Sequence, residues 1–367
     1  MKPHDVCVRG AGIVGRSLAL SLARLGLRVA LVADASPPRG EDVRAYALNA
    51  ASVGLLRELR VWDSLPAGAA TAVHEMRIAG DASGLLEFSA WQQQVSELAW
   101  ITDAARLELA LDAAVRFAPH VTVVPAPVDA ALTAICEGKA SAGRDAVGVR
   151  FDRQDYGHRA IAARLDASLP HRHVAWQWFR SPDVLALLPF DTPTPERGFA
   201  LVWSLPETRA QELLALDGAA FEAALNEATQ GAAGRLSLAG ERASWPLMQA
   251  RASAWSGPGW VLLGDAAHVV HPLAGQGLNL GLGDVIALTD VIARRGAWRP
   301  GGGAPLLRRY GRARALPPRA VGRLTDGLWH VFAGPQAPLR ELRNRGMGLV
   351  NQLPALKRWL TARALDS

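Results

Sequence analysis

The chain has 367 residues, of which 50% are hydrophobic and 20% are charged, so it can fold as a globular protein with a large core. Its net charge is +6, but the arginines are scattered among acidic residues instead of forming basic clusters interleaved with aromatic side chains. This distribution argues against a nucleic-acid-binding protein.

The two cysteines, Cys7 and Cys136, are too few for a disulfide framework or a metal set. Both lie in short apolar runs typical of buried strands, which favours packed thiols and a cytoplasmic protein. Arginines interrupt the N-terminal apolar stretch, so we do not interpret it as a signal peptide. No uncharged apolar run reaches the length of a membrane span, so any contact with a membrane is expected at the surface of its inner face.

The N-terminal residues predict a strand, a Gly-rich turn, a helix and a second strand. Residues 5–8 and 28–33 are the strands, and apolar positions at helical spacing cover residues 13–25. The turn fits G-x-G-x-x-G. Gly10 allows the tight turn, Gly12 lets backbone N–H groups approach a pyrophosphate, and Gly15 allows close packing of helix on strand. The candidate dinucleotide-binding residues are Gly10, Gly12, Ile13, Val14 and Gly15.

The acid that binds the ribose is left open by the sequence. Its usual position, at the end of the second strand, falls on Ala33, and Asp34 follows one residue later. Either Asp34 binds the ribose from a shifted position or no side-chain carboxylate does so.

Further along the chain, helical spacing covers 47–59, residues 75–101 are rich in strand signals, and 103–117 form an amphipathic helix. Short strands follow at 121–124 and 133–136, an antiparallel meander spans 160–203, and 208–228 are helical. A buried strand at 260–263 precedes a second Gly-rich segment and then more helix. This order predicts an α/β nucleotide-binding domain interleaved with a β-rich domain.

The second Gly-rich segment, Gly264–Asn279, carries the more specific pattern. Asp265, at the end of the buried strand, can accept hydrogen bonds from a polyol. Gly275 and Gly277 let the backbone approach a flat ring, and the following helix start offers N–H groups and the positive end of its dipole. His268 and His271 have no accompanying Cys or carboxylate set, so no metal site is predicted.

These residues carry a family resemblance through most of the chain. The chain resembles the flavin-dependent aromatic hydroxylases related to p-hydroxybenzoate hydroxylase, and within them the branch that acts in ubiquinone biosynthesis. The segments that carry the resemblance are 44–48, 155–158, 175–179, 185–189 and 264–279, with Asp284 after them. The resemblance implies FAD bound by a Rossmann-like βαβ domain, an interleaved antiparallel substrate domain and C-terminal helices.

The resemblance also implies roles for individual residues. Asp265 would bind the FAD ribityl chain and Arg44 would lie beside the cofactor. The flavin ring would be lined by the candidate catalytic residues Pro272, Gly275, Gln276 and Gly277. The candidate cofactor-binding set is completed by Arg106, Glu137, Gly264, Leu278 and Asn279.

The domain boundaries expected from this resemblance alternate along the chain. The FAD-binding domain takes 1–74, 102–159 and 246–330, the substrate domain takes 75–101 and 160–245, and 331–367 form a C-terminal helical segment.

The activity implied is that of a class A flavoprotein monooxygenase. NAD(P)H, a transient reductant, reduces FAD, the reduced flavin takes up O2, and a flavin hydroperoxide delivers one oxygen atom to an aromatic ring, here a prenylated ubiquinone precursor. Two alternatives stay open: a flavoprotein reductase or oxidase, and a non-catalytic FAD-binding member of a quinone-biosynthesis complex.

Two departures from the family keep these alternatives open. The middle motif normally reads Asp-Gly, whereas this chain has Glu137-Gly138, and the longer side chain is expected to order its partners less well. The segment from Val124 to Cys136 is also too short for the β-hairpin that family members have there.

Two more features have competing interpretations. Trp176, Trp178, Phe179, Phe190 and Trp203 lie on predicted strands; each singly is expected in the core, yet as a set they suggest an apolar substrate chamber. The basic amphipathic C-terminal segment either lies on an anionic membrane or packs as a helical cap, and the cap is favoured.

Overall fold

The computed structural model describes residues 3–33, 42–80, 84–270, 276–294 and 303–315. Within these ranges the strands are β1 (His4–Arg9), β2 (Val29–Val32), β3 (Ala45–Leu48), β4 (Ala70–Val73), β5 (Glu75–Ala79), β6 (Leu85–Ser89), β7 (Ala99–Asp103), β8 (Val121–Val124), β9 (Ala130–Ile135), β10 (Phe151–Ala167), β11 (Val174–Arg180), β12 (Asp183–Phe190), β13 (Gly198–Pro206), β14 (Leu236–Leu238), β15 (Ala243–Ala252), β16 (Ser256–Gly257), β17 (Trp260–Leu262) and β18 (His268–Val269). The helices of the same ranges are α1 (Ile13–Arg24), α2 (Ala50–Glu58), α3 (Ala90–Gln93), α4 (Ala104–Arg116), α5 (Ala142–Ala146), α6 (Glu207–Ala215), α7 (Gly218–Thr229), α8 (Gly277–Ala293) and α9 (Ala304–Ala315).

A six-stranded sheet forms the centre of the nucleotide-binding half, in the order β16-β17-β9-β1-β2-β8. All of its pairings are parallel except that of β16 with β17. Valine, leucine and alanine fill these strands, and the apolar residues of α1, α4 and α8 bury them in one large core.

The parallel strands bring distant parts of the sequence to one edge of this sheet. At their carboxyl ends lie Gly10 after β1, Cys136 and Glu137 after β9, and Gly264 shortly after β17. Ligands of open α/β sheets bind outside the carboxyl ends of the strands. The two Gly-rich segments and the middle motif therefore meet at the same edge, although more than a hundred residues separate each from the next.

The second sheet has nine strands in the order β18-β15-β10-β13-β12-β11-β5-β6, with β14 paired to β10. One of its faces is covered by α6 and α7 and holds large side chains such as Trp178, Phe199 and Trp203. Because residues of a strand alternate between faces, the opposite face carries the intervening side chains of the same strands.

A small three-stranded sheet, β3-β7-β4, lies between the two large ones. Its Val73 and Ile101 share a core with Ala175 and Phe190 of the nine-stranded sheet. This shared core attaches the nucleotide-binding half to the β-rich half.

Two local predictions were wrong. Residues 45–48 are strand β3, not the start of a helix; α2 begins only after Asn49, whose side chain accepts a hydrogen bond from Ser52 N–H as an N-cap. The single helix expected over 208–228 is two helices, because Leu216 is extended and Asp217 caps a new helix by accepting from Ala220 N–H.

The α/β fold expected from the sequence is confirmed. The domain boundaries stay a proposal; strand β10 runs continuously across the boundary proposed at 159/160. Residues 331–367 lie outside the described ranges. In the part of the chain that is described, no helix is both long enough and apolar enough to cross a membrane.

Candidate functional site

The turn from β1 into α1 is shaped by its glycines. Gly10 has φ +101°, a left-handed conformation that favours glycine, and a Cβ there would meet the carbonyl oxygen of Cys136 at 2.5 Å. A Cβ on Gly15 would collide with the carbonyl of Gly10. A Cβ on Gly12, by contrast, would meet nothing within 4 Å. The turn is therefore packed on its inner side and open on the side of Gly12.

The open side of this turn offers donors. Gly12 is the N-cap of α1 and its carbonyl accepts the first intrahelical bond, from Arg16 N–H at 2.9 Å. The N–H groups of Ile13, Val14 and Gly15, in the first turn, consequently have no intrahelical acceptor. Ile13 and Val14 act here through the backbone, since the side chain of Ile13 is in the core. Such a helix start binds the phosphates of a dinucleotide.

The second Gly-rich segment contains a carboxylate, that of Asp265. Gly264 has φ +59° and opens a 3-10 turn, Gly264–Ala266, that presents Asp265. Within the described part of the chain no group donates a hydrogen bond to the Asp265 carboxylate; burial raises its pKa, and the charges of Lys139, His268 and Arg44 only partly offset this. A partly buried acceptor without a donor among the described residues suits the hydroxyl groups of a ligand.

Helix α8 points its first turn at the same edge. Its N-cap is Gln276, and Leu280 N–H is the first to bond within the helix, to Gln276 at 3.0 Å. The N–H groups of Gly277, Leu278 and Asn279 are therefore available to a ligand, and a Cβ on Gly277 would meet nothing within 4 Å. This is the environment that stabilises negative charge on a flat ring.

The side chain of Asn279 is already fully used within the protein. Its Oδ1 accepts from Asn49 N–H at 3.1 Å and from Ser52 Oγ at 2.8 Å, and its Nδ2 donates to Ala47 O at 2.8 Å and to Gln276 Oε1 at 3.2 Å. The side chain thus ties α8 to the junction of β3 and α2, and what Asn279 can offer a cofactor is its backbone.

The two candidate arginines differ in their surroundings. The Arg44 guanidinium pairs with Asp42 through Nη2 at 2.6 Å and lies 3.5 Å from Glu108, and the hydrogen bond to Asp42 raises its pKa. Arg106 lies on α4 with an exposed side chain, and its backbone N–H donates to Asp103. Arg44 is thus held by acidic partners, whereas among the described residues no ion pair or hydrogen bond fixes the Arg106 side chain.

Tyr46 was part of a motif but was not singled out by sequence reasoning. Its ring is mostly buried, 5.9 Å from the Arg44 guanidinium, and burial raises its pKa to about 12 although Arg44 opposes the shift. The charge of Asp265 also acts on it. In the sequence, an aromatic residue on a strand is usually interpreted as part of the core. Only the folded structure shows that Tyr46 lies close enough to Asp265 for the two to interact.

Glu137 has three contacts within the chain, and its effect on the order of a bound cofactor stays a prediction. Its Oε1 pairs with Arg9 Nε at 2.7 Å, while Oε2 accepts from Ser141 Oγ at 2.8 Å and from Gly143 N–H at 2.7 Å. The extra methylene is accommodated because Gly143 leaves room; a Cβ there would lie 3.0 Å from Glu137 Oε2. The carboxylate fixes the end of β9 to the start of α5.

Arg144 was missed by sequence reasoning, because an arginine in a polar segment gives no sign of burial. Its side chain is 1% exposed. The guanidinium lies 3.8 Å from the centroid of the Phe151 ring and donates to Ala266 O at 3.3 Å and to Lys139 O at 3.2 Å. It therefore links the middle motif to the turn that carries Asp265.

Three candidates, Asp34, Pro272 and Gly275, lie outside the described residues, as does His271. Among the others, three groups suit FAD. The α1 start suits its pyrophosphate, the partnerless Asp265 suits its ribityl hydroxyls, and the α8 start suits the flavin ring. Among the described residues no cluster of His, Cys, Asp and Glu could hold a metal ion.

The nine-stranded sheet turns a face of small side chains toward this site. Arg164, on that face, donates to Arg44 O at 2.9 Å, pairs with Asp103 at 3.2 Å and lies 4.0 Å from the Phe190 ring centroid. The neighbouring positions of the same face hold small residues, namely Ala160, Ala162, Ala186, Ala200 and Val202. Ala160, Ala162 and Ala200 are buried, whereas Ala186 and Val202 are only partly buried.

Most of the aromatic residues on the middle strands are packed in cores. Trp178 and Trp203 belong to the core under α6 and α7, and Trp176 stacks on Trp178 with ring centroids 5.7 Å apart. Phe190 is buried beneath Arg164, and Phe179 packs in a small cluster with Val184. The core interpretation is confirmed for Trp178, Phe179, Phe190 and Trp203, whereas Trp176 is only partly buried. An apolar substrate chamber formed by the set stays a prediction.

Comparison with known proteins agrees with this site. The family model described as an FAD binding domain matches residues 3–125 and 116–325. Ubiquinone hydroxylase UbiL of Rhodospirillum rubrum is 29% identical over 393 residues, covering 100% of this chain and 90% of that protein. The 3-demethoxyubiquinol 3-hydroxylase of Escherichia coli is 28% identical, covering 97% of each.

Among solved structures, p-nitrophenol 4-monooxygenase PnpA from Pseudomonas putida superposes with a TM-score of 0.77 at 17% identity, covering 99% of this chain and 98% of that one. At 17% identity this structural similarity shows the fold alone. Because the family model matches most of the chain and both Gly-rich segments are built to receive the cofactor, the protein belongs to the FAD-binding-domain family of flavoproteins.

Proposed function

We propose that this protein is an FAD-dependent, NAD(P)H-using monooxygenase that hydroxylates the aromatic ring of a prenylated ubiquinone precursor. The observation that carries the proposal is the nearly end-to-end similarity to two proteins named as hydroxylases of ubiquinone and demethoxyubiquinol. The geometry of the candidate site supports it independently, since the two helix starts and Asp265 offer groups that would suit the pyrophosphate, the flavin ring and the ribityl chain of FAD.

In this proposal each element of the site has a task. The first turn of α1 binds the pyrophosphate, with Gly12 leaving space for its approach. Asp265 accepts hydrogen bonds from the ribityl hydroxyls. The first turn of α8, with Gln276 and Gly277, would lie at the edge of the flavin ring.

When bound, FAD supplies the redox chemistry that takes electrons from NAD(P)H and transfers one atom of O2 to the substrate ring. The protein's part is positioning and charge. Free N–H groups at the start of α8 stabilise negative charge that builds on the flavin edge. In the proposal the substrate ring lies against the face of small residues around Ala186 and Val202, which are only partly buried.

We further propose that the protein works in the cytoplasm, peripherally at the inner face of the membrane or within a complex there. A polyprenyl tail keeps its carrier in the bilayer, so an enzyme of such a substrate meets it at the surface.

The experiment that tests the proposal is metabolite profiling of a deletion strain. We expect a quinone precursor that lacks one ring hydroxyl to accumulate, and we expect wild-type protein, but not Asp265→Ala, to restore the pathway. A deletion strain with unchanged quinones would contradict the proposed substrate. Restoration by Asp265→Ala, after loss of FAD from that variant is verified, would favour a non-catalytic role.

A further inference from the structure

A second buried carboxylate lies behind the cofactor site and has no task in the function proposed above. Asp284, in the third turn of α8, is fully buried. Its Oδ2 accepts from Gly264 N–H at 2.9 Å and from His268 Nε2 at 2.7 Å, and its Oδ1 accepts from Arg314 Nε at 2.7 Å. Three donors converge on one carboxylate.

The donors come from three separate elements. Gly264 opens the 3-10 turn that presents Asp265, and its left-handed conformation is fixed in part by the N–H bond to Asp284. His268 begins β18, which pairs with β15 of the nine-stranded sheet. Arg314 lies on α9 and also donates to Leu280 O at 2.9 Å, one turn before Asp284 on α8.

The hydrogen bonds between Asp284 and its three donors form a rigid network. Burial alone would raise the pKa of Asp284, but His268, Arg314 and the Gly264 N–H together hold it below its ordinary value, so the carboxylate is charged at neutral pH. A buried charge with several charge-assisted hydrogen bonds tolerates little displacement of its partners. The His268 ring also stacks on the Trp255 ring, with ring centroids 5.1 Å apart.

One residue thus connects both parts of the cofactor site. The turn that it holds ends in Asp265, and the helix on which it lies begins with the free N–H groups of Gly277 and Leu278. We propose that Asp284 is a positioning residue for FAD, whose contacts with Gly264, His268 and Arg314 set the Asp265 turn and the start of α8 at the separation that the cofactor requires. The inference rests on FAD binding alone and not on the hydroxylation proposed above.

The test measures FAD affinity and apoprotein stability side by side. Loss of a charge-assisted hydrogen bond weakens binding by about tenfold or more, so we expect Asp284→Asn to raise the FAD dissociation constant by at least that factor. Arg314→Met should change it in the same direction, and the double variant should lose less than the product of the two single effects, because both remove one interaction. The visible circular dichroism of bound FAD should change in all three.

A matched control separates positioning from stability. Asp217 caps α7, far along the chain from the cofactor site, so Asp217→Ala should lower the unfolding temperature and leave FAD affinity and the flavin spectrum unchanged. If Asp284→Asn behaves like this control, Asp284 is only structural and the proposal is wrong.

A second pair of variants decides the case if Asp284→Asn does not fold. His268→Gln keeps an N–H donor for Asp284, whereas His268→Leu removes it. We expect the leucine variant to weaken FAD binding and the glutamine variant to restore most of the affinity; equal affinities would overturn the proposal. Absence of hydroxylase activity in every variant, wild type included, would count against the proposed function and leave this result standing.

Discussion

At the scale of single residues, Gly12 and Gly15 are required for different reasons. A Cβ on Gly12 reaches open space, whereas a Cβ on Gly15 would collide with the Gly10 carbonyl. We expect Gly12→Val to lose bound FAD and keep the unfolding temperature of wild-type apoprotein. Gly15→Ala should destabilise the apoprotein by about 1–3 kcal/mol or more, as overpacking does. Calorimetry with FAD titration checks both, and full FAD occupancy in Gly12→Val would contradict the assignment.

Asp265 offers a sharper test, because its roles in stability and in binding oppose each other. Its pKa is raised in the folded chain, so the fold favours the protonated acid, and stability is lost as pH rises from about 3.8 through the raised value. Above that raised value the apoprotein therefore carries an unfavourable charge at this position. Asp265→Asn should unfold at a higher temperature than wild-type apoprotein while FAD affinity falls by about one to two decades.

The control for this prediction is Asp152→Asn, which removes the same charge from a side chain that is 72% exposed. Neither stability nor FAD affinity should change there. An Asp265→Asn apoprotein less stable than wild type would mean that Asp265 has structural partners, and the cofactor role would then be withdrawn.

At the scale of elements, the cofactor site depends on how closely α1 and α8 approach. Val14 lies between Gly264 and Gly281, and a Cβ on Gly281 would meet Val14 Cγ2 at 2.7 Å. Gly281→Ala should thus push the helices apart, lowering stability by about 1–3 kcal/mol and weakening FAD binding. Gly54→Ala, in α2 with nothing within 4 Å, should instead raise stability by roughly 0.5–1 kcal/mol. Chemical denaturation of both variants measures the contrast; a harmless Gly281→Ala would show that the contact is not tight.

The sequence predicted those parts of the site that depend on a pattern of neighbouring residues. The turn around Gly12 and the segment around Asp265 could be predicted because glycine spacing after a buried strand has a specific structural meaning. Asp217 as a helix break was missed, since the apolar spacing continues on both sides of it. Arg144 and the environment of Asp284 could not be found, because burial of a charge is decided by partners distant in sequence.

At the scale of the whole molecule, a histidine network joins the small sheet to the nine-stranded one. His171 Nε2 lies 3.2 Å from Asp191 Oδ1, and Asp191 Oδ2 accepts from Thr71 Oγ1 at 2.9 Å. Burial lowers the pKa of His171, although Asp191 opposes the shift. The folded chain therefore binds fewer protons than the unfolded chain, and stability should fall as pH drops through 6.5 toward the lower folded value.

This dependence is checked by urea unfolding between about pH 7.5 and about pH 5.5, the window in which histidine titrates. His171→Gln should flatten the loss of stability in this range, while substitution of the exposed His120 by Gln should leave it unchanged. An identical pH dependence in wild type and His171→Gln would show that another group is responsible.

In the proposed function the FAD site catalyses oxygen insertion into an aromatic ring. The most direct measurement incubates purified FAD-loaded protein with NAD(P)H, isotopically labelled O2 and a prenylated phenol, and follows the label by mass spectrometry. We predict that one labelled oxygen atom enters the ring and that Asp265→Ala loses this activity together with FAD. Oxidation of NAD(P)H without label in the product, under conditions in which FAD and substrate are both bound, would contradict the account.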